Sequence, residues 1–201
     1  MRILLSSNSP FCTTGYGQQT AAICVHLKEM GHNMAIFAFY GLEGSRVDWG
    51  DIPIYPNDAR DWGIKNAKMF FEDHRADLLM TLVDVWVLNT MDPNLPWVPI
   101  VPVDHDPVPP LVVETLKKCP GIIKPIAMSR FGQKQLADNK VDAYYIPHSV
   151  DTKLFAPNPE WRKVGRERYK WQDKFVIGAV ATNHGERKNW ITGLKAVKLF
   201  A

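Results

Sequence analysis

Two short segments of this 201-residue chain combine residue types that can carry chemistry. In Val103-Asp104-His105-Asp106-Pro107, carboxylates flank a histidine that they can orient for hydrogen bonding or proton transfer. In Thr13-Thr14-Gly15-Tyr16-Gly17, the glycines let the backbone approach a ligand where a helix begins, and free N–H groups there attract anions. The first segment therefore predicts a site that orients a polar substrate, and the second a site for an anionic group.

Each segment has a plainer interpretation. Gly15 and Gly17 alone form a weak motif and can simply turn the chain. His105 can be a loop histidine satisfied by its neighbours. A metal site at Asp104 and His105 is disfavoured because adjacent residues of an extended segment point to opposite sides.

Two later segments add polar groups at predicted loops. His148 follows Tyr144–Ile146, a short predicted strand, and the alternative is a proline-rich linker with an incidental histidine. Asn183, Arg187 and Lys188 follow an apolar run at 175–181, where cations beside a helix start favour a phosphate. A solvated helix start is the alternative there.

The elements that must position these residues alternate along the chain, which predicts an α/β fold with a Rossmann-like, mostly parallel, three-layer sheet. Residues 40–58 are expected to be an irregular connection. The glycine segment and His105 should share one edge, since parallel strands end on the same side. Strands are predicted at 2–7, 33–39, 77–83, 97–103, 124–128, 144–146 and 175–181, and helices at 16–30, at 58–74 with Asp58 as cap, from Pro109-Pro110, and at 130–139 with Ser129 as cap.

The chain is predicted to divide into domain 1–155, linker 156–173 and the first strand and helix of a second domain at 174–201. The linker's basic aromatic run, 161–171, is expected to be a helix with a charged solvent face rather than a membrane-contacting one. The simplest interpretation is a partial protein that is inactive by itself.

The amino-acid composition limits the classes of protein to which this chain can belong. With 46% apolar residues the chain can bury a sizeable core, and a net charge of +3 does not favour nucleic acid as a partner. The three cysteines, Cys12, Cys24 and Cys119, are too widely spaced for a zinc ribbon or a disulfide framework. No apolar run of membrane-spanning length or signal-peptide core occurs, so a cytoplasmic location is the default expectation.

Taken in order, four segments resemble the retaining family-4 glycosyltransferases, which have the two-domain GT-B fold. They are Thr-Gly-Tyr-Gly with the downstream Met-Gly-His (30–32), the Asp-His-Asp-Pro segment, Ile-Pro-His-Ser-Val-Asp-Thr-x-x-Phe-x-Pro (146–157), and Arg-Lys-Asn (187–189). The third segment is the most specific, and the set spans nearly the whole chain.

The resemblance implies transfer of a sugar from a nucleoside-diphosphate sugar to a saccharide, lipid or protein acceptor, with no cofactor and no bound metal. Gly15, Tyr16 and Gly17 would approach the donor, while His105, or Asp104 if the register slips by one, would contact the transferred sugar. His148 would line the cleft. The resemblance assigns the donor diphosphate to a last group of residues, Asn183, Arg187 and Lys188.

The chain also departs from this family. Ser149 stands where a glycine is usual, and Thr182 stands near the place of an additional arginine. The family's Glu-x7-Glu pair is missing, since no two glutamates lie eight apart. The alternatives are a non-catalytic binding or assembly module, a sugar-nucleotide epimerase and a phosphorylase, all of the same fold.

Overall fold

The computed structural model describes residues 1–58, 61–181 and 188–200. The chain divides into two compact units, Met1–Val150 and Asp151–Ala201. The boundary falls close to the predicted end of the first domain, whose functional assignment stays a prediction. No helix in the described part of the chain has both the length and the apolar character needed to cross a membrane.

The first unit is built on one eight-stranded sheet in the order β3-β4-β2-β1-β5-β6-β7-β8. All neighbouring pairs are parallel except β3 with β4. This confirms the predicted α/β, Rossmann-like sheet. The strands are β1 (Arg2–Asn8), β2 (Asn33–Tyr40), β3 (Val47–Trp49), β4 (Ile52–Pro56), β5 (Leu78–Leu82), β6 (Trp97–Val101), β7 (Ile126–Ala127) and β8 (Tyr144–Tyr145).

The helices of this unit begin where the sequence supplies a start signal. The hydroxyl of Thr14 accepts a hydrogen bond from Gly17 N, and that of Ser129 accepts one from Gly132 N, as N-caps do. Pro110 opens a third helix, where its missing N–H costs nothing. The helices are α1 (Gly15–Glu29), α2 (Ile64–Asp73), α3 (Pro110–Lys118) and α4 (Arg130–Asp138), with a 3-10 turn at Val85–Leu88.

Alternating side chains of the buried strands form two cores, one on each face of the sheet. On one face Ile3, Leu5 and Ile36 pack against α1 through Cys24. On the other face the intervening residues, such as Leu4, join a larger core with side chains from α2, α3 and α4. The period of two along each strand therefore produces the three layers.

The predicted irregular connection at 40–58 is wrong, because it contains β3 and β4. Gly50 turns between them with a φ of 61°, and β4 aligns Ile54 with Ile36 of β2. Pro53 and Pro56 made this segment resemble a loop, since proline cannot donate to a strand ladder. Pairing with β2 and burial of Ile52 and Ile54 outweigh that signal.

Helix α2 starts later than predicted. It follows Gly63, which is left-handed with a φ of 87°, and the Asp61 carboxylate accepts hydrogen bonds from the backbone N–H groups of Gly63 and Lys65. The prediction that Asp58 caps this helix is therefore wrong. Asp58 instead accepts a hydrogen bond from the side chain of Asn66.

The second unit contains α5 (Pro159–Tyr169) and α6 (Trp190–Phe200). Asn158 caps the start of α5, and the Arg166 guanidinium closes its end by donating to the carbonyls of Trp171 and Gln172. The predicted strand at 175–181 is not formed. A strand requires a hydrogen-bonding neighbour, and none of the described residues of this unit provides one.

Candidate functional site

The sheet has a topological switch point between β1 and β5, where successive strands are added on opposite sides. From β1 the chain proceeds to β2 on one side, whereas β5 adds to the other side of β1 and β6 follows it. Ligands of open parallel sheets bind outside the carboxyl ends of the strands at such a switch point. The loops after β1, β5 and β6 therefore share one edge, and they span about 10 Å because neighbouring strands are separated by about 4.8 Å.

The loop after β1 is a rigid turn. Asn8 at the end of β1 donates its side-chain amide to the hydroxyl of Thr14 at 2.8 Å, and that hydroxyl also accepts from Gly17 N at 3.0 Å. The N-terminus of α1 is thereby fixed to the strand. Its first N–H groups are held at the switch point, where an anion would meet them.

The two glycines of this turn, Gly15 and Gly17, differ in whether a side chain would fit. A Cβ on Gly17 would lie 2.5 Å from the carbonyl oxygen of Cys12 and 2.8 Å from that of Ser9, so Gly17 is needed for packing. A Cβ on Gly15 would meet nothing within 4 Å. Tyr16 between them is half-buried. The surroundings of Gly15 are open, so no packing contact demands a glycine there.

Asp104 and His105 follow β6 and are bonded to each other. Nδ1 of His105 lies 2.6 Å from the Asp104 carboxylate, and both side chains are exposed. An ionised carboxylate can only accept, so Nδ1 carries the proton and Nε2 is left to face a ligand. Both residues line a cavity of about 240 Å³ together with Trp86.

Asp84 belongs to the same cavity and was not identified from the sequence. It is the second residue after β5, which lies between the strands that lead to the loops of Gly15 and His105. Partial burial raises the pKa of Asp84, and the nearby Asp104 charge raises it further. A carboxylate directly after the apolar run Leu78–Val83 was the available signal, but the strand order needed to interpret it is not readable from sequence.

His148 lies beyond the end of β8, in the first unit. It lines an apolar groove of about 270 Å³ between α1 and the sheet, together with Ile100 and Ile126. The residue is exposed as a whole, yet the groove removes part of its ring from water, and this desolvation lowers the pKa of His148. The structure thus attaches His148 to α1, the helix that begins at the glycine turn.

The predicted phosphate-binding residues belong to the second unit. Lys188 is exposed and lies two residues before α6. Asn183 and Arg187 lie outside the described residues. Their predicted role in holding a diphosphate stays a prediction.

A larger cavity of about 780 Å³ opens beside the carboxyl ends of β2 and β4. Its wall includes Tyr40, Glu43, Asn57 and Asp61, so it is polar and rich in hydrogen-bond acceptors. Trp86 is 46% exposed in the cavity of His105. Trp49 instead packs against the core on the α1 face.

Within the described ranges, no group of three or more histidine, cysteine, aspartate or glutamate side chains is arranged to hold a metal ion. Asp104, His105 and Asp84 offer hydrogen bonds and charge at the switch point. Their chemistry suits the binding and orientation of a hydroxyl-rich substrate.

No protein-family model matches the chain, and no curated protein matches its sequence. Among solved structures, the chain is similar to the crystal structure of a glycosyltransferase from Rickettsia africae ESF-5, with a TM-score of 0.64 over 99% of this chain and 17% sequence identity. The chain spans 57% of that protein's length. A likeness at this identity shows the fold, so the chain has a Rossmann-like glycosyltransferase fold.

Proposed function

We propose that this chain is the part of a glycosyltransferase that carries one wall of the active site, and that the enzyme takes its sugar from a nucleoside diphosphate. The observation that carries the proposal is the convergence of three loops at the switch point of a glycosyltransferase-like sheet. They bring the open turn at Gly15, the Asp84 carboxyl and the Asp104–His105 pair to one edge. The ligand chemistry expected at that edge, an anion beside a polyhydroxyl group, fits a nucleoside-diphosphate sugar.

The donor's phosphates would approach the backbone at Gly15, Tyr16 and Gly17. Thr14 holds this turn in place, so its N–H groups need no rearrangement when charge develops on the leaving diphosphate. The assignment of Lys188 to the diphosphate comes from the sequence resemblance. The assignment of Arg187 and Asn183 rests on the sequence resemblance alone.

In the reaction, the bond between the anomeric carbon and the diphosphate oxygen breaks as the acceptor oxygen bonds to that carbon from the same face. The acceptor's proton passes to the departing diphosphate, so configuration is retained and charge is balanced. His105 would hydrogen-bond the transferred sugar through Nε2, with Asp104 fixing its tautomer. His148 would line the cleft. No cofactor and no metal ion take part in this scheme.

The acceptor is assigned to the cavity beside β2 and β4. Its acceptor-rich wall, including Glu43 and Asp61, suits a ligand with many hydroxyl groups, and Tyr40 offers an exposed aromatic ring. A saccharide fits this wall better than an apolar chain. A glycosylated lipid or protein would present the same hydroxyl groups.

The test is a screen of nucleoside-diphosphate sugars against the product of the complete open reading frame. Release of nucleoside diphosphate is followed with and without acceptor mixtures, and the anomeric configuration of the product is read by NMR. The proposal expects one donor to be consumed with retention. Donor binding with no consumption would indicate a binding module, and exchange at a sugar carbon without loss of diphosphate would indicate an epimerase.

A further inference from the structure

Gln19 and Ser149 form a two-way hydrogen-bonded clasp across 130 residues of sequence. The side-chain nitrogen of Gln19 donates to the carbonyl of Ser149 at 2.9 Å, while its oxygen accepts from Ser149 N at 3.0 Å. The Ser149 hydroxyl adds a longer contact of 3.4 Å to the same oxygen. One side chain of α1 thus satisfies both backbone groups of a residue beyond the end of β8.

This arrangement demands a primary amide. A glutamate at position 19 would accept but not donate, and an alanine would do neither. The backbone after β8 has no ladder partner at Ser149, since β8 ends at Tyr145. The amide of Gln19 therefore takes the place that a neighbouring strand would occupy.

The clasp fixes two predicted site segments relative to each other. Gln19 lies four residues after Gly15 in α1, and Ser149 follows His148 directly. Both Gln19 and His148 line the apolar groove. We propose that Gln19 is a positioning residue, whose side-chain amide holds His148 against α1 and so sets the distance between His148 and the glycine turn.

That the distance between His148 and the glycine turn matters for catalysis rests on the proposed function. In a transferase, His148 and the glycine turn would face the same donor, so the clasp would act on the cleft without touching substrate. The Ser149 N–H and carbonyl lie one residue before the boundary of the two units. The clasp therefore holds the last residues of the first unit against α1.

The experiment follows the imidazole of His148 by NMR in the 201-residue chain as the pH is changed, without donor or acceptor. Its other titratable neighbour in the groove is His26, which pairs with Glu29 on α1, whereas Met80, Ile100 and Ile126 on the sheet side carry no charge. Gln19→Ala should let the ring leave the groove. The midpoint of His148 should then rise to the ordinary histidine value, about 6.5.

Amide hydrogen exchange of Ser149 gives a second readout of the same clasp. Loss of the hydrogen bond should accelerate exchange by about fivefold, the factor that corresponds to one typical net hydrogen bond. Gln19→Glu keeps the size of the side chain and removes the donor, so it should show an intermediate effect. It also provides a folded variant if the alanine variant is unstable.

Two control variants separate the effect of the Gln19 amide from other changes. Gln18→Glu makes the same charge change as Gln19→Glu, but at an exposed neighbour on α1. Ser149→Ala removes the hydroxyl and keeps both backbone hydrogen bonds to Gln19. Both should leave the His148 midpoint where it is in the unaltered chain. A folded Gln19→Ala variant with unchanged His148 titration and unchanged Ser149 exchange would overturn the proposal. No sugar is transferred in this experiment, so its outcome is independent of the transferase screen. A failure of the screen and a failure of the Gln19 proposal can therefore be told apart.

Discussion

The Asp104 carboxylate lies 2.6 Å from Nδ1 of His105. This contact joins consecutive residues, and both side chains are exposed in the cavity after β6. It places the proton on Nδ1 and fixes the ring, which makes Nε2 the atom available to a substrate. The proposed role of His105 can therefore be tested by removing its imidazole.

Replacing His105 by alanine should lower kcat of the proposed transferase by about tenfold to a hundredfold, the value of a hydrogen bond to a charged or polarised group. KM should change less, because the interaction strengthens as charge develops. Steady-state kinetics with the donor found in the screen measure both constants. His32→Ala, at a half-buried histidine just before β2, should leave both constants unaltered. A folded His105→Ala enzyme with full kcat would exclude the role.

Alanine at Gly15 and alanine at Gly17 should affect different properties, donor binding in the first case and stability in the second. Gly17→Ala places a methyl group 2.5 Å from the Cys12 carbonyl oxygen and should lower the free energy of unfolding by about 1–3 kcal/mol. Gly15→Ala meets open space and should leave stability within about 0.5 kcal/mol while weakening donor binding. Urea unfolding and calorimetric titration measure the two effects. Unaltered donor affinity in Gly15→Ala would remove Gly15 from the site.

His74 should make the fold sensitive to mild acid. Only 5% of its surface is exposed, and this burial lowers the pKa of His74, while its hydrogen bond to the carbonyl of Asn33 opposes the shift. The unfolded chain binds this proton near pH 6.5, so it holds more protons than the folded chain just below that pH. Stability should then decrease as the pH falls through 6.5 towards the lower folded value.

The variant His74→Gln should lose part of this acid sensitivity. Urea unfolding at pH 7.5 and pH 5 measures the difference in unfolding free energy for each variant. His32→Gln, at a half-buried position outside the core, should retain the full difference. An equal pH dependence in His74→Gln and the unaltered chain would contradict the assignment.

Tyr55 should contribute to stability through its hydroxyl. The hydroxyl donates to Asp73 at 2.6 Å, and burial together with that carboxylate raises the pKa of Tyr55 to about 12. Tyr55→Phe keeps the stacking on Phe70 and should lower the unfolding free energy by about 1–2 kcal/mol. Chemical denaturation measures the loss. Tyr144→Phe, at an exposed tyrosine, should cost far less.

Local signals in the sequence were sufficient for much of the first unit. Ser129 caps α4 as predicted, because a cap is decided by a hydroxyl and the three residues that follow it. The two strands at 40–58 were missed because long-range pairing with β2 overrides their prolines. Residues 175–181 were predicted as a strand from their apolar side chains, and no strand forms there because they lack a pairing partner among the described residues.

The positions of Gly15 and His105 beside strand ends were predictable from the sequence, whereas their roles stay predictions. Asp84 and Gln19 were missed for a different reason. The position of Asp84 depends on the order of β1, β5 and β6, and that of Gln19 on a contact 130 residues away. Neither relationship leaves a mark in the local sequence.

The sheet ends on both sides in very short strands, three residues in β3 and two in β8. Such margins expose few unpaired backbone groups, so an incoming extended peptide finds little to pair with. Aggregation by edge-to-edge growth is thereby suppressed. A variant with a longer β8 would expose more unpaired backbone N–H and carbonyl groups and would lose that protection.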